Sequence, residues 1–183
     1  MKKIIALTLI LVLALAGCSS AGGATKLGLG QDTSIGSSKD LAENDEGVKV
    51  GTAQVDTVMA AVMVDDKGKV VDIKIDTAQT IVTFDESGVI TSDKSAEIKT
   101  KRELGADYGM IKASGIGREW FEQIDAVEEW MVGKTADEIA NMKVKADENG
   151  ANISDEADLV SKATLKIDSY LKVTAEAIAD ASK

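Results

Sequence analysis

The chain has 183 residues and a formal charge of −10, with no His, no Pro and a single Cys. An acidic surface repels phosphates, so no nucleic-acid partner is expected. Without His the usual neutral-pH base and commonest metal ligand are missing, and one Cys cannot form an intrachain disulfide or a thiolate cluster, which argues against triad hydrolases and stored metals.

Residues 1–20 read MKKIIALTLILVLALAGCSS. Lys2 and Lys3 precede an apolar run from Ile4 to Leu15, and Ala16-Gly17 form a small-residue exit. The run is too short for a permanent membrane span and suits a cleaved signal over residues 1–17. Leu15-Ala16-Gly17-Cys18 resembles the bacterial lipobox, which implies an acylated Cys18 as the mature N-terminus and a protein held on the extracytoplasmic face of the cell membrane. Each buried methylene of a lipid chain contributes about 0.8 kcal/mol, so a multiply acylated Cys18 would anchor stably. Residues 18–46 are rich in Ser, Gly and Ala and read as a flexible tether reaching about 30 Å, with 35–41 the stretch most suited to packing on a domain.

The domain is expected over residues 47–183. Val48 to Val64 is a β-rich run, Asp65-Asp66-Lys67-Gly68 a turn, and Val71, Ile73 and Ile75 alternate beyond it, which predicts a β-hairpin. Thr80–Phe84, Asp85–Gly88 and Val89–Thr91 predict a second hairpin. Residues 93–112 fit no period. Ser114-Gly115-Ile116-Gly117 opens a segment to Val132 in which Ile116, Trp120, Ile124, Val127 and Met131 recur at helical spacing. Thr135–Glu138 is a capping box before a short helix, and Ile167, Leu171, Thr174, Ala175 and Ile178 predict a closing helix. Strands followed by helices give an α+β class: a mostly antiparallel sheet of two hairpins packed with amphipathic helices.

Several other residues could bear on a ligand. Ser114–Gly117 with Arg118 could hold a phosphate, though such a turn more often only enters a helix. Trp120, Phe121 and Trp130 read as core before they read as stacking partners. Lys99, Lys101 and Arg102 form a basic cluster suited to a solvated face or a redox partner. Asp147-Glu148-Asn149-Gly150 lacks the spacing of a calcium loop.

Asp158-Leu159-Val160-Ser161-Lys162-Ala163-Thr164 stands just before the closing helix. It resembles the attachment motif of the FMN-binding domain family, Asp-x-x-Ser/Thr-Gly-Ala-Thr. That family includes the C and G subunits of sodium-pumping NADH:quinone reductase and Rnf-type complexes, and the flavolipoproteins of extracellular electron transfer. The order of the Gly51-Thr52-Ala53 strand, the Gly68–Val71 hairpin and the final helix extends the resemblance to residues 47–183. It implies an electron-transfer flavoprotein rather than a stand-alone enzyme, with no catalytic residue of its own. A flavin transferase would join FMN through a phosphoester to Thr164, with Asp158, Ser161 and Ala163 shaping the loop. A membrane redox donor and an extracellular acceptor would be the partners. One residue departs from the pattern: Lys162 stands where the family has Gly, and Gly admits a positive φ and close approach of a bulky group. The departure leaves a second reading open, a non-redox surface lipoprotein that binds a ligand or a protein and has lost the flavin.

Overall fold

The computed structural model describes residues 25–183, so the signal and Cys18 lie outside the described residues. Two 16-residue strands, β3 (Lys49–Val64) and β4 (Val70–Asp85), form one long antiparallel hairpin paired from Val50↔Asp85 to Val64↔Val70. The tight connection follows from residue chemistry. Asp65 Oδ1 accepts the N–H groups of Lys67 and Lys69 at 2.9 and 2.8 Å, and Gly68 takes a φ of +73°, which costs glycine nothing. The same Asx-x-x-Gly loop recurs at Asn44–Gly47, Asp85–Gly88 and Asp147–Gly150, each with the first side chain accepting two backbone N–H groups.

The tether and the domain boundary at residue 47 require correction. Residues 26–34 form β1 (Lys26–Ser34), paired with β3 from Lys26↔Val64 to Ser34↔Asp56, and residues 39–43 form β2 (Lys39–Glu43), paired with the beginning of β3. Of the segment suited to packing, 39–41 is strand and Ile35 is exposed. Few apolar residues are needed here because β1 contributes backbone pairing and two glycines, not side-chain volume. The sheet thus has four strands, with β3 in the middle, β4 on one side and β1 and β2 sharing the other.

The second hairpin is smaller than its sequence suggests. Thr80–Phe84 continues β4, and only an isolated bridge, Phe84↔Ile90, follows the Asp85–Gly88 turn. Between residues 93 and 119 lie the single turn α1 (Lys101–Leu104) and two 3₁₀ turns at Gly105–Tyr108 and Met110–Lys112. Helix α2 (Trp120–Met131) starts later than the Ser114 expected, because Gly117 has a φ of +62° and Glu119 with Glu122 forms the capping box. Helix α3 (Ala136–Ala140) is capped by Thr135 and Glu138 as the spacing predicted. A small β5 (Val144–Ala146) and β6 (Asn152–Ser154) ribbon precedes the closing helix α4 (Asp168–Ala181).

One layer of helices covers one face of the sheet. Ala60, Val62, Val64, Ile73 and Ile75 are buried against Ile124, Val127 and Met131 of α2 and Val173, Ala177 and Ala181 of α4. The architecture is the expected α+β: an antiparallel sheet, amphipathic helices and a C-terminal closing helix. Gly28 and Gly30 let β1 lie directly on α4, since an added Cβ would stand 1.9 Å from the Ala177 carbonyl oxygen and 2.0 Å from that of Val173. At the other edge, the buried Glu128 accepts the Ile75 N–H at 2.6 Å and Lys74 Nζ at 2.8 Å and pairs with the Arg102 guanidinium. Desolvation works against the charge of Arg102, yet Asp125 and Glu128 raise its pKa, and it also donates to the Ile75 carbonyl. Arg102, one of the three residues of the expected basic cluster, is therefore a strut between α1, α2 and β4.

Candidate functional site

The segment before α4 folds as a short coil of turns that sorts its side chains to two sides. Leu159 N–H and Val160 N–H donate to the Glu156 carbonyl, and Lys162 and Ala163 donate to that of Leu159. This winding buries Leu159 and Ala163 while Asp158, Ser161 and Lys162 stay exposed. Thr164, half-buried, comes next.

Thr164 is held by a residue that the sequence reading passed over. Its backbone N–H donates to Gln123 Oε1 at 2.9 Å, and its hydroxyl donates weakly to the same oxygen at 3.4 Å. Gln123 is fully buried, and its Nε2 donates to Ser114 Oγ at 3.1 Å and the Arg118 carbonyl at 3.0 Å. With both donors committed, the carbonyl end of the amide can point only towards Thr164. A signal existed: Gln123 follows Trp120 by three and precedes Val127 by four, placing a polar amide on the apolar stripe. Ser114 and Arg118 thus serve the site through Gln123, and Gly115–Gly117 is the turn that brings them there.

Beside Thr164 opens a cleft of about 530 Å³ whose walls include Lys101, Tyr108, Met110, Trp120, Lys166 and Tyr170. Trp120 Nε1 donates to the Tyr170 hydroxyl at 3.0 Å, with ring centroids 6.3 Å apart. Lys101 Nζ lies 4.7 Å from the centre of the Tyr108 ring and 5.5 Å from that of Trp120, within cation–π range. Trp120 is core, as its spacing indicated, and only its edge reaches the cleft. Trp120, the first residue of α2, and Tyr170, in the first turn of α4, border the cleft, and carboxylates offset both N-termini: Glu119 and Glu122 at α2 and Asp168 at α4. Glu119 is buried and also accepts the Met110 N–H at 2.8 Å.

Asp158, Ser161 and Lys162 do not line this cleft. They border a second one, also near 500 Å³, with Glu129, Trp130 and Lys134, where Lys134 Nζ stands 4.3 Å from the centre of the Trp130 ring. Thr164 also lies four residues ahead of α4 rather than at its first turn. No described residue other than Gly has a positive φ, so Lys162 occupies ordinary backbone where a Gly would be free to do otherwise. Its side chain leads away from the Thr164 cleft.

The Thr164 hydroxyl thus stands half-buried at the rim of a cleft with aromatic walls and two lysines. Cys18 lies outside the described residues, and no described helix is long and apolar enough to cross a membrane.

No family model and no solved structure matches the chain. Over 102 residues it is 31% identical to a chlorophenol reductase of Desulfitobacterium hafniense. The alignment takes in 49% of this chain and 31% of that protein, so the chain spans about a third of the length of the relative it matches.

Proposed function

We infer that the chain is a lipid-anchored extracytoplasmic electron carrier, with Cys18 acylated and FMN esterified to the Thr164 hydroxyl. The observation that carries the reading is the seat of Thr164, aimed by a buried amide at the edge of a ring-lined cleft. A reductase among the similar proteins points the same way, as one partial relative.

Bound flavin would supply one- and two-electron transfer, which needs no His or other catalytic base from the chain. The chain's own residues have simpler tasks. Gln123 keeps the Thr164 hydroxyl at the cleft edge, which leaves the oxygen open to a flavin transferase. Lys101 and Lys166 offset phosphate charge. Tyr108, Trp120 and Tyr170 offer faces and edges for stacking and keep water from one side of the ring system. A membrane redox donor and an extracellular acceptor would meet at this cleft.

Lys162 favours a second reading, a non-redox surface lipoprotein that uses one of the clefts for another ligand or a protein. Co-expression with a flavin transferase separates the two. A flavin carrier yields a yellow protein whose intact mass rises by one FMN phosphoester, and Thr164→Val abolishes the gain. A colourless, unmodified product beside a flavinylated Gly-Ala-Thr control supports the other reading, and colour gained only in Lys162→Gly identifies the lysine as the cause.

A further inference from the structure

The sheet has one face under the helices and one that no described element covers at the β1 end. On that open face Leu27 stands opposite Met63, and Leu29 opposite Ala61, across the β1–β3 ladder. Leu27, Leu29 and Met63 are 74%, 60% and 37% exposed, and Ala61 is exposed too. Their neighbours Gly28, Gly30, Ala60 and Val62 point the other way, into the core. Four apolar side chains thus form one contiguous strip on solvent-facing strands. Lys26 begins the strand beside them, Lys74 lies across from Ala61, and Asp72 lies across from Met63 at the rim.

We propose that this strip is a lipid-contact surface, seating the open face of the sheet on the outer leaflet of the membrane that holds Cys18. The proposal rests on the acylation of Cys18 inferred above. The length of the intervening chain argues for lipid as the occupant. Cys18 and Lys26 are eight residues apart, so the start of β1 can rise at most about 29 Å above the acyl chains even when the chain is fully extended. Within that reach the strip meets the surface as an intramolecular event at high effective concentration, so a few apolar contacts suffice. The same few contacts are too small for a stable pair of chains, which needs roughly 800 Å² from each partner. Lys26 can extend its apolar stem along the interface with its amine at headgroup level.

The consequence concerns the site. Helices α2 and α4, with Thr164 between their N-terminal ends, lie on the opposite face of the sheet. With the strip seated, the Thr164 cleft stands on the helix side of the sheet, away from the lipid, so a soluble acceptor can reach it and a membrane donor must engage it through a part that projects from the bilayer.

The test uses the full chain, produced in a host that processes lipoproteins and reconstituted into vesicles of phosphatidylcholine and phosphatidylglycerol carrying doxyl-labelled lipid. A fluorophore is placed through Ala61→Cys on the strip or through Glu176→Cys on the exposed side of α4, with Leu29→Cys as the second strip position should the first fold poorly. Doxyl lipid is expected to quench the strip positions severalfold more than Glu176→Cys. Equal quenching, or stronger quenching at Glu176→Cys, in a chain shown by intact mass to be acylated overturns the seating and leaves the anchor standing. A chain with an unmodified Cys18 overturns the anchor and the seating together. Protection of the strip label without vesicles, rising with protein concentration, assigns the strip to a second copy and overturns the proposal.

Discussion

Gln123 and Thr164 show how much one buried amide can decide. The Gln123 carbonyl accepts from Thr164 because its Nε2 is already committed to Ser114 and Arg118. Gln123→Leu would strand the Thr164 N–H and remove the partner of the hydroxyl. A buried group left without its partner costs about 1–3 kcal/mol, so a loss of that order is expected in urea unfolding. Flavin loading should fall at the same time, and a buffer change that restores stability should not restore it, because the hydroxyl is no longer aimed. Carboxylates in the turns give a second residue-scale prediction. Asp65 has a lowered pKa through the N–H bonds it accepts, that of Lys69 foremost, and Asp85 likewise through the Ser87 hydroxyl and the Val89 N–H. Their folded pKa values lie below the unfolded ones. Their stabilisation is therefore complete above the ordinary carboxylate range of about 4 and is lost as pH falls through it. Asn44 holds the same loop without a titrating group. The paired Asp65→Asn and Asp85→Asn variant should thus keep the fold and lose less thermal stability than the parent between about pH 5 and 3, followed by circular dichroism.

At the scale of elements, β1 is held by shape and not by side-chain burial. Its glycines admit the α4 backbone to a distance that any Cβ would block. Gly30→Ala should cost at least the 1–3 kcal/mol typical of overpacking, read as a lower denaturation midpoint. Hydrogen exchange should rise in β1 and along the Val173–Ala177 turn before it rises in β4. The opposite edge depends on charge. Arg102→Leu leaves the buried Glu128 with the exposed Lys74 as its remaining cation, and breaking such a pair from one side costs about 3–5 kcal/mol. The same change frees α1 from β4, so the Lys101 wall of the Thr164 cleft should loosen and flavin loading should drop.

For the molecule as a whole, adding β1 and β2 to the sheet replaces a long tether with a short one. Only the residues between Cys18 and Lys26 remain to link an anchor to the first strand. With Cys18 acylated as proposed, a domain on so short a lead would not sweep a large volume, and partners would have to come to it. Inserting a flexible Gly-Ser stretch after Ser20 should therefore alter electron delivery from a membrane-bound donor more than it alters flavin content, read as donor-dependent reduction against absorbance. Distant ends of the chain also meet in one core, with Leu29 N–H donating to Asp180 at 3.2 Å. Removing residues through Ser34 should expose the Ala177–Ala181 face of α4 and lower the unfolding midpoint of the entire domain.

Local chemistry made much of this fold legible in the sequence. The Asp65–Gly68 loop between alternating strands, the Thr135–Glu138 box and the spacing of Ile167, Leu171 and Ile178 each specify an element through neighbours in sequence, and each is present. The α+β class follows from their order. The beginning of the sheet was hidden because β1 has almost no strand-like side chains; Gly-x-Gly reads as linker until a helix about 150 residues later is known to rest on it. The site was legible only in part for the same reason. A motif names Asp158, Ser161 and Thr164 as one group, but winding around the buried Leu159 and Ala163 sends the first two to a different cleft. Gln123, Tyr108 and Tyr170 join Thr164 across separations that no local pattern encodes. Sequence alone determined the central hairpin, the capped helix α3 and the closing helix, since each depends on near neighbours. Tertiary packing alone decided what surrounds the Thr164 hydroxyl and that β1 and β2 belong to the sheet, because both depend on which distant segments share a core.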